Sequence, residues 1–362
     1  MEPVSHSHRT HGSKVATPAA KGKLSKGTSV SSKFQDDVLS GLRQENGNKK
    51  IATKYLYDDA KPEMFDRLTH IPAYYPTNAD IRTLQYHINE IVGALPDRCI
   101  ACEIGGNSRG KTIPLLQACI NQGKVSSFIQ IDICDPTQST SVDELNRELV
   151  LPKGTAIELK GICGDTDSLD FAILNLPKPD VAFVFGLTAF NCNPKDIPAR
   201  LGDWAKRFGK KIFISAGTIV DDQTFLTAYN EPEAVHVEWF FGLLERINRE
   251  LNGTFDLEKH AKCTDARDPY KYWAYEIELN KEKPWKFISM YLTSKQAQSV
   301  QIAGEIIEFK KGERIHVADT CRIDPRNLPD VLGPHGLVVE HAWVDPRGQS
   351  AIYSISKADC DE

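Results

Sequence analysis

A glycine-rich turn at residues 103–112 contains the residue types that bind a phosphate group or an adenosyl cofactor, and its sequence is EIGGNSRGKT. Gly105, Gly110, Lys111 and Thr112 match the pattern G-x-x-x-x-G-K-[ST]. In that pattern backbone N–H groups cradle phosphates, the lysine reaches them and the hydroxyl contacts Mg²⁺. The same turn could instead hold the methionine end of S-adenosylmethionine. An apolar run before the turn predicts a strand and the run after it predicts a helix, which is the context that both alternatives need.

An acidic residue stands near the end of each of two predicted strands beside this turn. Glu103 belongs to the first strand, residues 99–104, and Asp132 closes the second, residues 128–132, 21 positions beyond Lys111. A carboxylate about 20 residues past such a turn is where the ribose of an adenosine-type cofactor is held. Asp132 could also bind the Mg²⁺ of a nucleotide. The spacing therefore favours the adenosyl cofactor and leaves nucleotide hydrolysis open.

The composition excludes several classes of protein. With 362 residues, 41% hydrophobic and 26% charged, the chain is long enough to bury one large core or two moderate ones. Its formal charge of −5 argues against a nucleic-acid-binding protein, whose surface should be basic. No apolar run approaches the roughly 18 residues that a membrane span needs, and no secretory signal follows Met1. We expect a cytoplasmic protein with neither a nucleic-acid nor a membrane partner.

The cysteines suit a reducing compartment, since there are nine of them, an odd number, and most are scattered singly. Cys99 and Cys102 have the C-x-x-C spacing of half a zinc site. They lie in an apolar strand, however, and no second pair follows at ligand spacing. We expect both to pack in the core, and we predict no metal site.

The elements that must position the turn alternate along the chain. Strands are predicted over 99–104, 128–132, 155–161, 180–186 and 211–216, and helices over 79–95, 112–121, 141–149 and 196–208. Such alternation predicts a parallel sheet with helices on both faces. The alternation of strands and helices ends after Thr218, where a long helix precedes aromatic-rich strands and a final hairpin. These later elements are predicted over 235–251, 270–279, 285–294, 336–343 and 351–355.

Residues 1–33 are rich in Ser, Thr, Lys, Gly and His and show no apolar periodicity, which predicts a disordered tail. An organelle transit peptide has a similar composition, but a single arginine and the lack of an amphipathic face argue against it. A helix is predicted from Phe34 to Leu42. Residues 71–78, which include two adjacent tyrosines, read as a loop.

Several separated motifs follow one another from Tyr55 to the C-terminus. They are Tyr57-Asp58 with Met64-Phe65; Tyr74-Tyr75-Pro76-Thr77; Glu103-Ile104-Gly105 with Lys111-Thr112; Gly164-Asp165; Gly186-x-Thr188-x-x-Asn191; Ala228-Tyr229-Asn230; Ile247-Asn248-Arg249-Glu250-Leu251; Gly312-Glu313; and Trp343-x-Asp345-Pro346. In this order they resemble the S-adenosylmethionine-dependent amino-acid Nα-methyltransferases, the family typified by the histidine methyltransferase of ergothioneine biosynthesis. The resemblance disfavours the nucleotide-hydrolase alternative.

The resemblance implies an α/β fold with two discontinuous parts. A Rossmann-like class I methyltransferase domain would comprise residues 80–220 and 318–362. A second, α+β substrate-binding domain would comprise residues 34–79 and 221–317. It also implies S-adenosylmethionine as the cofactor, a small amino acid as the substrate, and a monomer.

The same resemblance assigns roles to individual residues. Four of them would surround the methionine and ribose of the cofactor: Glu103, Gly105, Lys111 and Asp132. Asp165 would lie near its adenine. Asn191 and Tyr229 would hold the carboxylate of the amino acid, and the backbone of Gly186 would face its amine. Tyr57 and Tyr74 would close over the site as catalytic residues, and a tyrosine oxygen or water could relay the proton that the amine must lose.

Two residues depart from the family pattern where it has glycine. Asn107 stands in the cofactor turn, and asparagine tolerates a positive φ better than most residues, so the turn can survive. Phe190 stands before Asn191 and would narrow the floor of the pocket. Together they leave open a catalytically weak homologue that only binds the cofactor. If methylation is repeated, the rings of Tyr57, Tyr74 and Phe190 could stabilise the growing cation.

A third departure concerns the side chain of the substrate. The histidine enzymes have a glutamate that binds the imidazole where this chain has Ala318, and a serine where it has Thr320. Loss of that carboxylate removes a charge-assisted hydrogen bond worth roughly 1.5–3 kcal/mol. The apolar space beside Met290 would suit tryptophan or a prenylated tryptophan, as in fungal relatives of secondary metabolism, and this is the predicted substrate. A slip of one residue would put Asp319 in the pocket and restore histidine as the alternative.

Overall fold

The computed structural model describes residues 15–16, 20–21, 30–45, 47–58, 60–61, 63–105, 109–133, 135–166, 169–172, 174–262 and 264–358. In these ranges the strands are β1 (Val15–Ala16), β2 (Ala20–Lys21), β3 (Cys99–Ile104), β4 (Val125–Asp132), β5 (Glu158–Cys163), β6 (Val181–Val184), β7 (Lys211–Gly217), β8 (Trp273–Glu282), β9 (Trp285–Ser294), β10 (Gln298–Ile302), β11 (Glu305–Phe309), β12 (Arg314–Ile323), β13 (Leu337–Val344) and β14 (Ser350–Lys357). The α-helices are α1 (Val30–Leu42), α2 (Glu63–Thr69), α3 (Tyr75–Gly93), α4 (Arg109–Asn121), α5 (Asp135–Glu148), α6 (Ile197–Arg207), α7 (Asp222–Tyr229), α8 (Val235–Glu250) and α9 (Leu328–Leu332).

The central sheet has the strand order β5-β4-β3-β6-β7-β14-β13. The first five of these strands are parallel, and β14 runs antiparallel to β7. The chain starts at β3, moves outward to β5, and then returns to the other side of β3 with β6. Such a reversal opens a crevice at the carboxyl ends of β3 and β6, which is where α/β sheets bind ligands.

Helices cover both faces of this sheet, because alternate residues of each strand point to opposite faces. In β3, Ala101 packs with apolar residues of α3 and α4, while its neighbour Cys102 packs with residues of α6. The strands β3, β4, β6 and β7 are therefore buried along nearly their whole length. The predicted Rossmann-like α/β fold is confirmed.

An antiparallel extension continues the same sheet beyond β7. Strands β8, β9 and β12 pair antiparallel, and β12 meets β7 through the pair Arg322 and Gly217. A separate hydrophobic cluster draws its residues from 34–79 and from 225–318. Its limits lie close to those expected for a substrate-binding domain, and the division into two domains stays a prediction.

Several element boundaries follow the sequence closely, and others do not. Strands β3 and β9 have the predicted limits. Helix α1 begins at Val30, inside the stretch predicted as a tail, and most of the remainder of that stretch lies outside the described residues. Helix α3 begins at Tyr75, in the predicted loop, because Pro76 occupies its first turn, where a missing N–H costs no intrahelical hydrogen bond. Within the described ranges, no helix is long and apolar enough to cross a membrane.

Candidate active site

A cavity of 1770 Å³ opens at the carboxyl ends of β3, β4, β5 and β6. It brings together nine of the residues that the sequence singled out: Tyr57, Tyr74, Glu103, Gly105, Lys111, Asp132, Asp165, Gly186 and Asn191. These residues come from four strand ends, the ends of two 3₁₀ turns, and the starts of α3 and α4, so the topology of the sheet places them together. Asn107, one of the two family departures, lies outside the described residues.

Glu103 is a buried carboxyl group at the end of β3. The hydroxyl of Thr112 donates to it at 3.1 Å from Oε1 and 2.8 Å from Oε2. Burial raises the pKa of Glu103 to about 7, and the hydrogen bond from Thr112 together with the charge of Lys111 limits the rise. Near neutral pH this carboxyl group therefore exists in both protonation states, and a cationic ligand would favour the ionised one.

Lys111 pairs with a carboxylate of the chain itself, Asp80 in α3. The Nζ of Lys111 lies 3.0 Å from Oδ2 of Asp80, and both side chains are buried. The same Oδ2 accepts hydrogen bonds from the N–H of Gly186 at 2.8 Å and from the hydroxyl of Ser215 at 3.0 Å. Since Lys111 and Thr112 both serve internal carboxylates, the turn lacks the free lysine and hydroxyl that a nucleotide phosphate with Mg²⁺ would need. Asp80 belongs to no sequence motif, so its role could not be predicted without the tertiary structure.

Two glycines shape the wall of the cavity. Gly105 has φ of +67° and Gly186 has φ of +74°, a conformation that favours glycine. A Cβ at Gly105 would lie 3.3 Å from Oγ1 of Thr188, and one at Gly186 would lie 3.3 Å from Nζ of Lys111. The N–H of Gly186 donates to Asp80, and only its carbonyl oxygen has a lone pair that could accept a hydrogen bond from a substrate amine.

Asp165 lies at the other end of the cavity, after β5. Its Oδ2 is 2.9 Å from Nζ of Lys54 and 3.1 Å from Nζ of Lys33, a residue of α1. The first helix therefore reaches the mouth of the cavity through an ion pair. Neither lysine belongs to a sequence motif that indicates a part in the site.

The two tyrosines expected to close the site lie on one wall. The ring of Tyr57 packs edge-on against Trp239 with centroids 5.5 Å apart, and the ring of Tyr74 packs edge-on against Tyr229 at 5.7 Å. Burial raises the pKa of both hydroxyls well above the ordinary value; the charge of Asp132 adds to the rise for Tyr57, and the charge of Arg322 partly offsets it for Tyr74. Both tyrosines therefore keep their protons at neutral pH and can act as hydrogen-bond donors.

Strand β12 presents Asp319, and not Ala318, to the cavity. A bulge between His316 and Ala318 shifts the register against β9, so that Asp319 faces Ser289 and Ala318 faces Met290. Asp319 lines the cavity, whereas Ala318 and Met290 lie in the hydrophobic cluster behind it. The apolar pocket expected beside Met290 is therefore filled by the core. The bulge could not be read from the sequence, because it depends on how β9 pairs.

The remaining predicted substrate residues lie behind the cavity wall. Phe190 is fully buried and packs against Trp285 at 6.2 Å, so it does not narrow the pocket floor as expected. Tyr229 and Thr320 are buried with their hydroxyl oxygens 3.1 Å apart. Both belong to a hydrogen-bonded group centred on Arg322, another residue that the sequence analysis did not select.

A buried histidine–glutamate pair also adjoins this wall. Nδ1 of His236 lies 2.6 Å from Oε2 of Glu231, and the ring of His236 is 5.6 Å from that of Tyr74 and 5.3 Å from that of Tyr229. Burial favours the protonated form of Glu231, but its hydrogen bonds with His236 outweigh this effect and hold its pKa below the ordinary value. The pair fixes the start of α8, since Oε1 of Glu231 accepts from the backbone N–H of His236 at 2.7 Å.

A family model described as a histidine-specific, SAM-dependent methyltransferase matches residues 34–357. This chain belongs to that family. It is 26% identical over 324 residues to histidine N-alpha-methyltransferase of Mycolicibacterium smegmatis, covering 88% of this chain and 94% of the relative. It is 21% identical over 319 residues to N-methyltransferase imqF of Aspergillus flavus, covering 86% and 82%. It is 22% identical over 172 residues to 4-dimethylallyltryptophan N-methyltransferase easF of Epichloe festucae var. lolii, covering 46% and 48%.

Membership of the family makes the protein an N-methyltransferase that uses S-adenosylmethionine. The predicted enzyme class and cofactor are confirmed, and nucleotide hydrolysis is excluded as its activity. Within the part of the chain that the structure describes, no group of three or more His, Cys, Asp or Glu side chains could hold a metal ion.

Proposed function

We propose that the enzyme transfers methyl groups from S-adenosylmethionine to the α-amine of histidine. The histidine-specific family model and the mycobacterial relative support this substrate. The cavity supports it independently, because Asp319 supplies a buried carboxylate on the wall where a substrate side chain would lie. The position of the buried Asp319 carboxylate in the cavity wall is the observation that carries the proposal.

The surroundings of Asp319 suit an imidazole. The hydroxyl of Ser289 donates to Oδ1 at 2.6 Å, and Nε2 of His316 lies 3.0 Å from the same oxygen. Among the described residues no hydrogen bond reaches Oδ2, so this oxygen can accept an N–H from the substrate. His316 also shows that an imidazole ring fits against this carboxylate.

The tryptophan substrate expected from the sequence depended on Ala318 facing the pocket. Ala318 and Met290 lie in the core, so they do not supply apolar space for a tryptophan side chain. The 4-dimethylallyltryptophan N-methyltransferase of Epichloe festucae var. lolii matches a smaller share of the chain than the mycobacterial histidine enzyme does. Histidine is therefore the better-supported substrate of the two.

S-adenosylmethionine would supply a methyl group on a positively charged sulfur, which is displaced without acid catalysis. The protein then has to bind the cofactor and the amino acid, orient the amine toward the methyl group and exclude water from both. Glu103, Gly105, Lys111 and Asp132 would hold the methionine and ribose, and Asp165 the adenine, as the family resemblance implies. The glycines support this assignment, since a side chain at either Gly105 or Gly186 would intrude on the cavity wall. Correct orientation of the amine can contribute most of the rate acceleration.

The walls of the cavity also suit repeated methylation. Each added methyl group makes the amine bulkier, and a trimethylated amine has a permanent positive charge. The rings of Tyr57, Tyr74 and Trp239 can face such a cation and offset its loss of hydration. We propose that the reaction proceeds beyond one methyl group.

Mass spectrometry of a reaction that contains S-adenosylmethionine and all twenty amino acids tests the substrate. We expect methylated histidine, with tryptophan unchanged. In Asp319→Asn, kcat/KM for histidine should fall by about 10- to 100-fold, the cost of a charge-assisted hydrogen bond. Asp196→Asn, at the exposed rim of the same cavity, is the matched control and should change it by less than threefold. Methylated tryptophan, or equal effects of the two substitutions, would reject histidine recognition by Asp319.

Two broader proposals accompany this function. We propose that residues 34–79 with 221–317 form the substrate-binding part and residues 80–220 with 318–362 the cofactor-binding part. The separate hydrophobic clusters support this division. We also propose a cytoplasmic location, which is supported by the free thiols of the six cysteines that the structure describes.

A further inference from the structure

Arg322, in β12, is a cation buried without a counter-charge. Its side chain is fully buried, and among the described residues no carboxylate lies within ion-pair distance of it. Its hydrogen bonds go to neutral groups: Nε donates to the hydroxyl of Tyr75 at 3.0 Å, and Nη2 to the hydroxyl of Tyr229 at 2.9 Å. Nη1 donates to Oγ1 of Thr320 at 3.2 Å and to the carbonyl of Cys321 at 2.9 Å. Burying a charge without an opposite charge is costly, so we expect a bound anion to balance the guanidinium group of Arg322.

The direction of these hydrogen bonds makes the surrounding hydroxyls donors. A guanidinium group has donors only, so Tyr75, Tyr229 and Thr320 each accept from Arg322 and keep a hydrogen to donate. One of these hydrogens can join Tyr229 to Thr320, whose oxygens lie 3.1 Å apart. Two hydrogens remain, next to a positive charge, and this combination recognises an anion.

The fold is built to accommodate the arginine side chain. Gly217, at the end of β7, pairs with Arg322 where β12 joins the central sheet. A Cβ at position 217 would lie 2.3 Å from Cδ of Arg322 and 2.4 Å from its Nε, so any larger residue would displace the side chain. The aromatic rings of Tyr75, Phe225 and Tyr229 enclose the guanidinium, whose carbon lies 4.6 Å from the ring centre of Phe225.

This group lies directly behind the cavity wall, since Tyr229, Thr320 and Arg322 are not among the residues that line the cavity. Tyr74 lines the cavity, and its ring packs edge-on against that of Tyr229. Tyr229 is also the residue that the family resemblance assigns to the carboxylate of the amino acid. An anion bound by Tyr229 would therefore neutralise the positive charge of Arg322 from the substrate side.

We propose that Arg322 is a positioning residue that makes the enzyme select substrates with a free carboxylate. It acts through Tyr229 and Thr320, by directing their hydrogens toward the ligand and by supplying the positive charge behind them. The inference rests on the proposed function, because it takes the anion to be the α-carboxylate of the amino-acid substrate. It does not depend on which amino acid that is.

The test compares histidine with histidinamide, which keeps the α-amine and imidazole and lacks the carboxylate. We expect wild type to prefer the acid by at least about 100-fold in kcat/KM. In Arg322→Gln, kcat/KM for histidine should fall by about 100-fold, while kcat/KM for histidinamide should change by less than threefold. Arg322→Lys should restore part of the preference for the acid. Arg246→Gln is the matched control. Its guanidinium also packs on rings, those of Phe34 and Tyr55, and its loss should leave the acid-to-amide ratio unchanged.

Failure of this inference and failure of the proposed substrate give different results. Equal losses for the acid and the amide in Arg322→Gln would assign the arginine a purely structural role and overturn the inference. If wild type methylates another amino acid, histidine is wrong, and that amino acid with its amide serves as the pair. If no amino acid is methylated, calorimetry with histidine and histidinamide on the S-adenosylhomocysteine-bound enzyme decides. Equal affinities of wild type for histidine and histidinamide would overturn the inference. If wild type binds histidine more tightly than histidinamide and Arg322→Gln does not, the result would support it.

Discussion

Acidification below pH 7 should weaken the binding of the cofactor, because Glu103 would have to be ionised to contact it. Burial places the pKa of this carboxyl group at about 7, against an ordinary value of 4.5. Between pH 8 and pH 6 the ionised fraction then falls from about nine-tenths to about one-tenth. A ligand that binds only the ionised form would show a Kd about tenfold higher at pH 6.

Isothermal titration calorimetry with S-adenosylhomocysteine, which cannot react, measures this directly. The Kd of wild type should rise about tenfold from pH 8 to pH 6. The α-amine of the ligand also titrates in this region, so Glu103→Gln is the necessary control. The variant should bind more weakly than wild type at pH 8 and should retain only the pH dependence that belongs to the ligand.

The same raised pKa gives an independent measurement on the free enzyme. A carboxyl group whose pKa is higher in the folded state stabilises the fold fully below pH 4.5 and loses that contribution as the pH rises through about 7. The folded pKa of about 7 exceeds the ordinary value of 4.5 by an amount that corresponds to about 3 kcal/mol of unfolding free energy. Without ligand, Glu103→Gln should therefore be more stable than wild type at pH 8, although it binds the cofactor less well.

Either of two results would refute this reasoning. A wild-type Kd that stays constant from pH 8 to pH 6 would show that Glu103 is ionised throughout or does not contact the cofactor. A Glu103→Gln enzyme that is less stable than wild type at pH 8 in urea would show that the ionised carboxylate is well accommodated in the free fold.

Three further substitutions test the surrounding structure. Asp80→Asn leaves Lys111 buried without its counter-charge and should lower the unfolding free energy by about 3 kcal/mol or more in urea titrations. The lowered pKa of Glu231 stabilises the fold above pH 4.5, and this contribution is lost as the pH falls through the folded value. The stability of Glu231→Gln should accordingly vary less with pH in that acid range. Gly217→Ala should displace Arg322, lower the unfolding free energy by about 1–3 kcal/mol and reduce the acid-to-amide ratio; an unchanged ratio would contradict the role of Arg322.

Much of the fold could be predicted from local patterns. The alternation of apolar runs with amphipathic stretches predicted the central sheet, and β3 and β9 have the predicted limits because apolar content and flanking turns define a buried strand. The start of α3 was misplaced because the proline at position 76 reads as a loop residue, although the first turn of a helix accepts it. Local patterns do not tell whether such a proline ends a loop or begins a helix.

The sequence by itself determined that Glu103, Gly105, Lys111 and Asp132 lie at one edge of the sheet, since they stand at strand ends or at the start of the following helix, and these positions follow from the order of elements. Tertiary structure alone decided which residue of β12 faces the cavity. Whether Ala318 or Asp319 faces the cavity depends on a bulge that forms only when β12 pairs with β9. In a strand, a shift of one residue turns each side chain to the opposite face, and pairing between segments far apart in the chain sets that shift.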